Sequence, residues 1–84
     1  MLKSIHSQRQ ERLVALLKQA REKAGLTQDQ LAERMGAYQT FVSKYERGER
    51  RLDVIEFLAI VEAIGIDPTV ILDEIRSETA RRKR

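Results

Sequence analysis

Residues 27–48 read TQDQLAERMGAYQTFVSKYERG, two short helical patterns set around one glycine. Thr27 and Gln30 stand at the spacing of a capping box, in which a hydroxyl and an amide three residues apart each satisfy the other's backbone N–H. The spacing predicts a helix over 28–35 ending at Gly36, then a second over 39–47 ending at Gly48. Leu31, Ala32, Met35, Val42 and Tyr45 share the inward side. Gln39, Thr40, Ser43, Lys44 and Arg47 take the outward side of the second helix.

Working outward, Leu13, Leu17, Ala20 and Ala24 recur at steps of three and four among basic residues. They predict an amphipathic helix over 7–24, with Ser7 and Gln10 as a second capping box and Gly25 as the left-handed residue that stops it. Toward the C-terminus, Asp53 is an N-cap candidate. Val54, Phe57, Leu58, Val61 and Ile64 then form an apolar stripe over 53–64 that ends at Gly65. Pro68, at a first helical turn where its missing N–H costs nothing, opens a fifth helix over 68–77. In that helix Val70, Ile71, Leu72 and Ile75 offer more apolar surface than one face needs. No periodicity follows Ser77, and residues 79–84 are read as a disordered basic tail. The fold class is all-α, a compact five-helix domain spanning residues 1–78.

The 84 residues are 42% hydrophobic and 35% charged, which suits one small globular core rather than a disordered chain or a large catalytic cavity. No apolar run approaches the ~20 residues that cross a membrane. The chain has no cysteine, so disulfides and thiolate metal sites are excluded, and a cytoplasmic location is expected. The single histidine, His6, lacks partners for zinc and reads as a terminal residue. Asp73 and Glu74 are neighbours on a helix and so diverge in direction. With no activated hydroxyl or phosphate-cradling loop beside them, no catalytic residue, metal, cofactor or small-molecule substrate is expected.

Charge is segregated along the chain. Residues 1–25 carry six basic and two acidic side chains, 26–51 five and four, 52–78 one and seven, and 79–84 four and none. A basic first half backed by an acidic second half fits a polyanion partner held against one side only. DNA, RNA and an acidic membrane surface remain open at this level.

The second helix of the opening stretch narrows that choice. Rotating about 100° per residue from Val42 puts Tyr45, Tyr38 and Phe41 on its side, and Ser43, Arg47 and Thr40 roughly opposite, flanked by Gln39 and Lys44. Such side chains suit groove readout. Glutamine can bond adenine bidentately, lysine reaches guanine O6 and N7, and a hydroxyl donates or accepts.

The stretch resembles the XRE-type helix-turn-helix family, which includes phage repressors and Cro. Similarity covers residues 16–72 and centres on 28–47. Ala32 matches the small residue at the helix crossing, Gly36 the turn glycine, Val42 and Tyr45 the buried positions, and SKYERGER at 43–50 the commonest family wording. The resemblance implies a helix-turn-helix formed by the second and third helices, with the third in the major groove of double-stranded DNA. It implies base contacts from Gln39, Thr40, Lys44 and Ser43, and a phosphate contact from Gln28. It further implies a buried ion pair between Arg21 and Glu46. Arg47, Arg50 and Arg51 are expected on phosphates. Tyr38 departs from the family's small polar cap and is an uncertain DNA contact, while Phe41 is bulkier than usual and expected to be half-buried.

The expectation is a sequence-specific transcriptional regulator, paired as a homodimer through Val70, Ile71 and Ile75 on a near-palindromic operator. The alternative from another class is a protein-interaction module, antitoxin-like or coactivator-like. A membrane role is disfavoured because the apolar face of the first helix is needed by the core.

Overall fold

Five helices carry the chain in the computed structural model, which describes the backbone of residues 7–82 and side-chain surroundings through residue 77. They are α1 (Gln8–Lys23), α2 (Gln28–Met35), α3 (Gln39–Glu46), α4 (Val54–Ile64) and α5 (Pro68–Arg82). His6, Lys83 and Arg84 lie outside the described residues.

The local signals act largely where they stand. The Thr27 hydroxyl accepts from the Gln30 N–H at 3.1 Å, and the Gln30 side chain accepts from the Thr27 N–H at 2.9 Å. Asp53 and Glu56 form the same reciprocal cap at the start of α4. At α1 only half of the expected box forms: Ser7 accepts from the Gln10 N–H at 3.1 Å, but the Gln10 side chain is buried rather than turned back to the cap. Gly36 ends α2 at φ +71°, a left-handed conformation that costs an L-residue roughly 1–2 kcal/mol. That turn folds α3 back across α2, where Ala32 is small enough for a close crossing.

The core is one cluster. Leu17 of α1, Leu31 and Ala32 of α2, Val42 and Tyr45 of α3, and Phe57, Ile60, Val61 and Ile64 of α4 are buried together. The apolar stripe of α4 lies across α1 and α2, while α5 packs on α1.

Two expectations about the C-terminal helix are corrected. Ile71 is 5% exposed and belongs to the core, and Ile75 packs partly buried against it; of the three surface candidates only Val70 stands clear, at 59%. Docking of α5 on α1 turns that face inward, and the Arg12–Glu74 ion pair at 3.1 Å spans the two helices at the surface. The helix also runs on to Arg82 instead of yielding to a tail at residue 79. Residues 78–82 contain no glycine or proline, and alanine, arginine and glutamate propagate a helix once one exists.

Between α1 and α3 lies the buried ion pair. Arg21 Nε donates to Glu46 Oε2 at 2.7 Å and Arg21 Nη2 donates to Glu46 Oε1 at 3.0 Å, a two-pronged contact whose side chains are 10% and 3% exposed. The remaining prong, Nη1, donates to the Leu26 carbonyl at 2.7 Å. The hydrogen bond to Glu46, more than its charge, raises the Arg21 pKa against the opposing effect of burial. Removing one partner of such a pair strands the other without water, a loss of about 3–5 kcal/mol. Glu46→Ala is expected to lower unfolding free energy in urea by that order; a change below about 1 kcal/mol would contradict the role given to the pair.

Candidate nucleic-acid interface

The third helix presents two chemically different sides. Val42 and Tyr45 are fully buried, Phe41 and Ser43 half-buried, and Gln39, Thr40, Lys44 and Arg47 exposed. The rotation argued from sequence thus holds within the helix and fails just before it. Tyr38 is 84% exposed because it is the N-cap, with extended backbone at ψ 150°, so helical rotation does not reach it. No side chain caps that end. The Phe41 amide donates to the Tyr38 carbonyl at 3.0 Å, which leaves the Gln39 and Thr40 amides at the positive end of the helix dipole, where an anion is favoured.

Gln39 is held from behind. Its Nε2 donates to Gln28 Oε1 at 2.7 Å, and Gln28 Nε2 donates in turn to Glu46 Oε1 at 3.0 Å. Glu46 is also the acceptor of Arg21, so hydrogen bonds run from the α1–α3 ion pair out to the first residue of α3. Gln28, expected on a phosphate, stands as the middle link of that chain. With one amide proton committed, Gln39 has one N–H and its carbonyl oxygen left, the donor–acceptor pair that the adenine edge accepts.

The basic residues divide into three settings. Arg47 forks onto Glu49, with Nε to Oε2 at 3.1 Å and Nη2 to Oε1 at 3.0 Å, while its Nη1 donates to Ser43 Oγ at 2.5 Å. Arg50 forks onto Glu56 at 2.9 and 2.6 Å, donates to the Arg51 carbonyl at 2.8 Å and lies 4.8 Å from the Phe41 ring centroid. Arg51 is exposed and makes no ion pair among the described residues. Of the three, only Arg51 has a guanidinium without a carboxylate partner among the described residues. Arg50 braces the α3–α4 loop, and Arg47 faces an acid of its own chain.

Glu49 and Glu56 were missed by the sequence reading. Glu56 had a usable signal, since Asp53-x-x-Glu56 repeats the capping-box spacing; Glu49 had none beyond standing two residues from an arginine. Exposed apolar residues lie on α4 as well as on α5. Val54 and Ile55, on the first turn of α4, are 70% and 73% exposed, and Leu72 on α5 is 46%.

The sequence profile of the helix-turn-helix family matches residues 17–71. Among solved structures, an XRE-family like protein from Pseudomonas syringae pv. tomato str. DC3000 is similar at TM-score 0.83 and 49% identity, over 89% of this chain and 92% of its own. The restriction-modification controller protein C.AhdI from Aeromonas hydrophila follows the chain at TM-score 0.69 and 27% identity, over 74% of this chain and 94% of its own. The controller protein C.Esp1396I, solved as a tetramer in complex with its natural 35 base-pair operator, gives TM-score 0.78 at 23% identity, over 87% of this chain and 96% of its own, a likeness of fold. Comparison with curated protein sequences gives no match.

The brace at Glu56 sets a pH dependence. Hydrogen bonding from Arg50, then from the Asp53 amide, holds the Glu56 carboxyl below the ordinary glutamate value. A carboxylate with a depressed folded pKa contributes stability that is complete above the unfolded value, near 4.3, and is lost as pH falls through the lower folded value. The pair is partly exposed, so the contribution is about 1 kcal/mol or less. Carbon-detected titration is expected to give a Glu56 midpoint below about 4.3, and Glu56→Gln should remove part of the acid-induced loss of stability. A midpoint at or above that value would remove the brace from the account.

Proposed function

The chain belongs to the XRE-type helix-turn-helix family of DNA-binding transcription regulators, and we propose that it acts as a homodimer on a near-palindromic operator. The observation that carries this reading is the face of α3. Gln39, Thr40 and Lys44 are exposed together, and Gln39 is aimed by a hydrogen-bonded support that runs back to a buried ion pair. A long polar side chain on an ordinary solvated helix loses rotamer freedom for no return when it is fixed. One held with a free donor and acceptor outward is ready to read a base edge.

In this reading Gln39, Thr40 and Lys44 contact bases, with Ser43 behind them. Arg51 and Arg47 neutralise phosphates, Gln28 supports Gln39 and can reach the adjoining phosphate, and Arg50 contributes by fixing the loop that carries Arg51. Tyr38, exposed at the entry to α3, touches the DNA backbone or a base in this reading.

Pairing follows from the number of contacts. One helix in one groove touches too few bases to select a site in a genome, whereas two-fold symmetry sets recognition helices about 34–36 Å apart, one turn of DNA. Val54 and Ile55 are the pairing surface we favour. They are the most exposed large aliphatic side chains among the described residues, and they closely follow the Arg50–Arg51 loop, so pairing there brings two phosphate-binding loops toward the dyad.

Selection of bound oligonucleotides from a random pool tests the whole reading, since a dimer on DNA enriches an inverted repeat. On the selected site, Lys44→Ala is expected to cost about 1–3 kcal/mol and relax preference at one position per half-site. Equal losses on selected and scrambled duplexes would contradict base readout by Lys44. If Arg47 and Arg51 of two protomers meet four phosphates, log K falls with log salt at a slope of about −3.6, and Arg51→Ala flattens it by about 1.8. No salt-sensitive binding to any duplex would instead favour the protein-interaction module. Ile55→Asp is expected to leave the fold intact, shift sedimentation toward monomer and weaken operator binding; an unchanged dimer would exclude that surface.

A further inference from the structure

Glu49 places a carboxylate on the side of the molecule where phosphate is expected, between two cations assigned to DNA. A loose surface acid would swing away. This one is anchored: the Glu49 N–H donates to the Lys44 carbonyl at 2.9 Å and the Gly48 N–H to the Tyr45 carbonyl at 3.1 Å, the paired bonds that close a helix through a left-handed glycine, here at φ +76°. The termination of α3 thus fixes the backbone that presents Glu49 to Arg47.

The contact itself has the form of a phosphate contact. Two parallel N–H···O bonds at 3.1 and 3.0 Å use the edge of the guanidinium that binds phosphate and carboxylate alike. Both side chains are more than half exposed, at 55% and 54%, so the pair does little for folding stability. Its effect is on what Arg47 can bind. The Arg47 hydrogen bond and charge, with a smaller contribution from Lys44, hold the Glu49 carboxyl below the ordinary glutamate value, so it is charged throughout the neutral range.

We propose that Glu49 is a built-in phosphate surrogate: in the DNA-free protein its carboxylate occupies the anion site of Arg47, and a DNA phosphate must displace it. The proposal rests on the DNA-binding reading given above. Displacement has two consequences. Phosphate affinity is lowered on every sequence, which limits occupation of non-operator DNA, because weak backbone contacts do not by themselves repay the lost pair. Release of Arg47 from Ser43 Oγ also frees an acceptor on the readout face, coupling the phosphate contact to the chemistry that Ser43 presents.

The test is a double-mutant cycle on duplex DNA with the full chain. Glu49→Gln keeps the size and removes the charge, and is expected to tighten binding about two- to fivefold per protomer on selected and scrambled duplexes alike. In an Arg47→Ala background the same change is expected to do almost nothing. An undiminished gain without Arg47 would show Glu49 acting as a distant charge, and no gain with Arg47 present would show that the pair does not oppose binding; either result overturns the surrogate while leaving DNA binding intact. Failure of the unsubstituted protein to bind any duplex would remove both readings together.

Discussion

Glu46 is the side chain on which the arrangement of the helices and the readiness of the site both depend. It is nearly sealed from water, and burial of a carboxylate is tolerable only when its oxygens are satisfied. Three donors do so: two prongs of Arg21 and the amide of Gln28. The donors come from α1 and α2 and the carboxylate from α3, so satisfying one charge fixes the three helices relative to one another. The geometry tolerates little slippage, because a shift of any helix would open a bond to a group that has no water to replace it.

The same carboxylate links the core to the surface. Gln28 cannot rotate freely while it donates to Glu46, and Gln39 donates to the oxygen that Gln28 has left. A flexible side chain on the rim of α3 thereby inherits the order of the interior. Order of this kind costs conformational entropy during folding rather than during binding, which is how a preorganised contact gains affinity. A second anchor lies at the far end of α3, where Glu56 caps α4 and grips Arg50, and Arg50 covers the Phe41 ring. The loop between α3 and α4 is therefore braced at both ends, and Arg51 projects from a fixed base.

Charge follows the same division. The carboxylates of residues 52–78 include Glu62, Asp67, Asp73 and Glu74, exposed on α4, α5 and the turn between them, whereas the cations of residues 44–51 flank the readout face. Glu46, Glu49 and Glu56 near that face are each matched to an arginine. An acid left bare beside phosphate would repel it; Glu49 and Glu56 instead modulate and brace the cations they face.

Sequence alone determined the elements and the identity of the motif, since these depend on short-range physics. The capping box at Thr27, the N-cap at Asp53, left-handed glycines at Gly36 and Gly65, and apolar spacing in α1 to α4 are local rules that a neighbourhood of a few residues obeys or breaks. The family resemblance added Arg21–Glu46, a pairing over 25 residues that no local rule contains. Tertiary structure decided the rest. Whether Ile71 faces a partner or the core depends on how α5 docks on α1, and whether an arginine is free, braced or latched depends on which carboxylate folding brings within about 3 Å of it. Val54 reads as a core residue because it opens the apolar stripe of α4, and only packing selects which part of that helix stays outside. Periodicity reports that a face is apolar; it does not report what will cover that face, because burial is a property of the assembled helices rather than of any one of them.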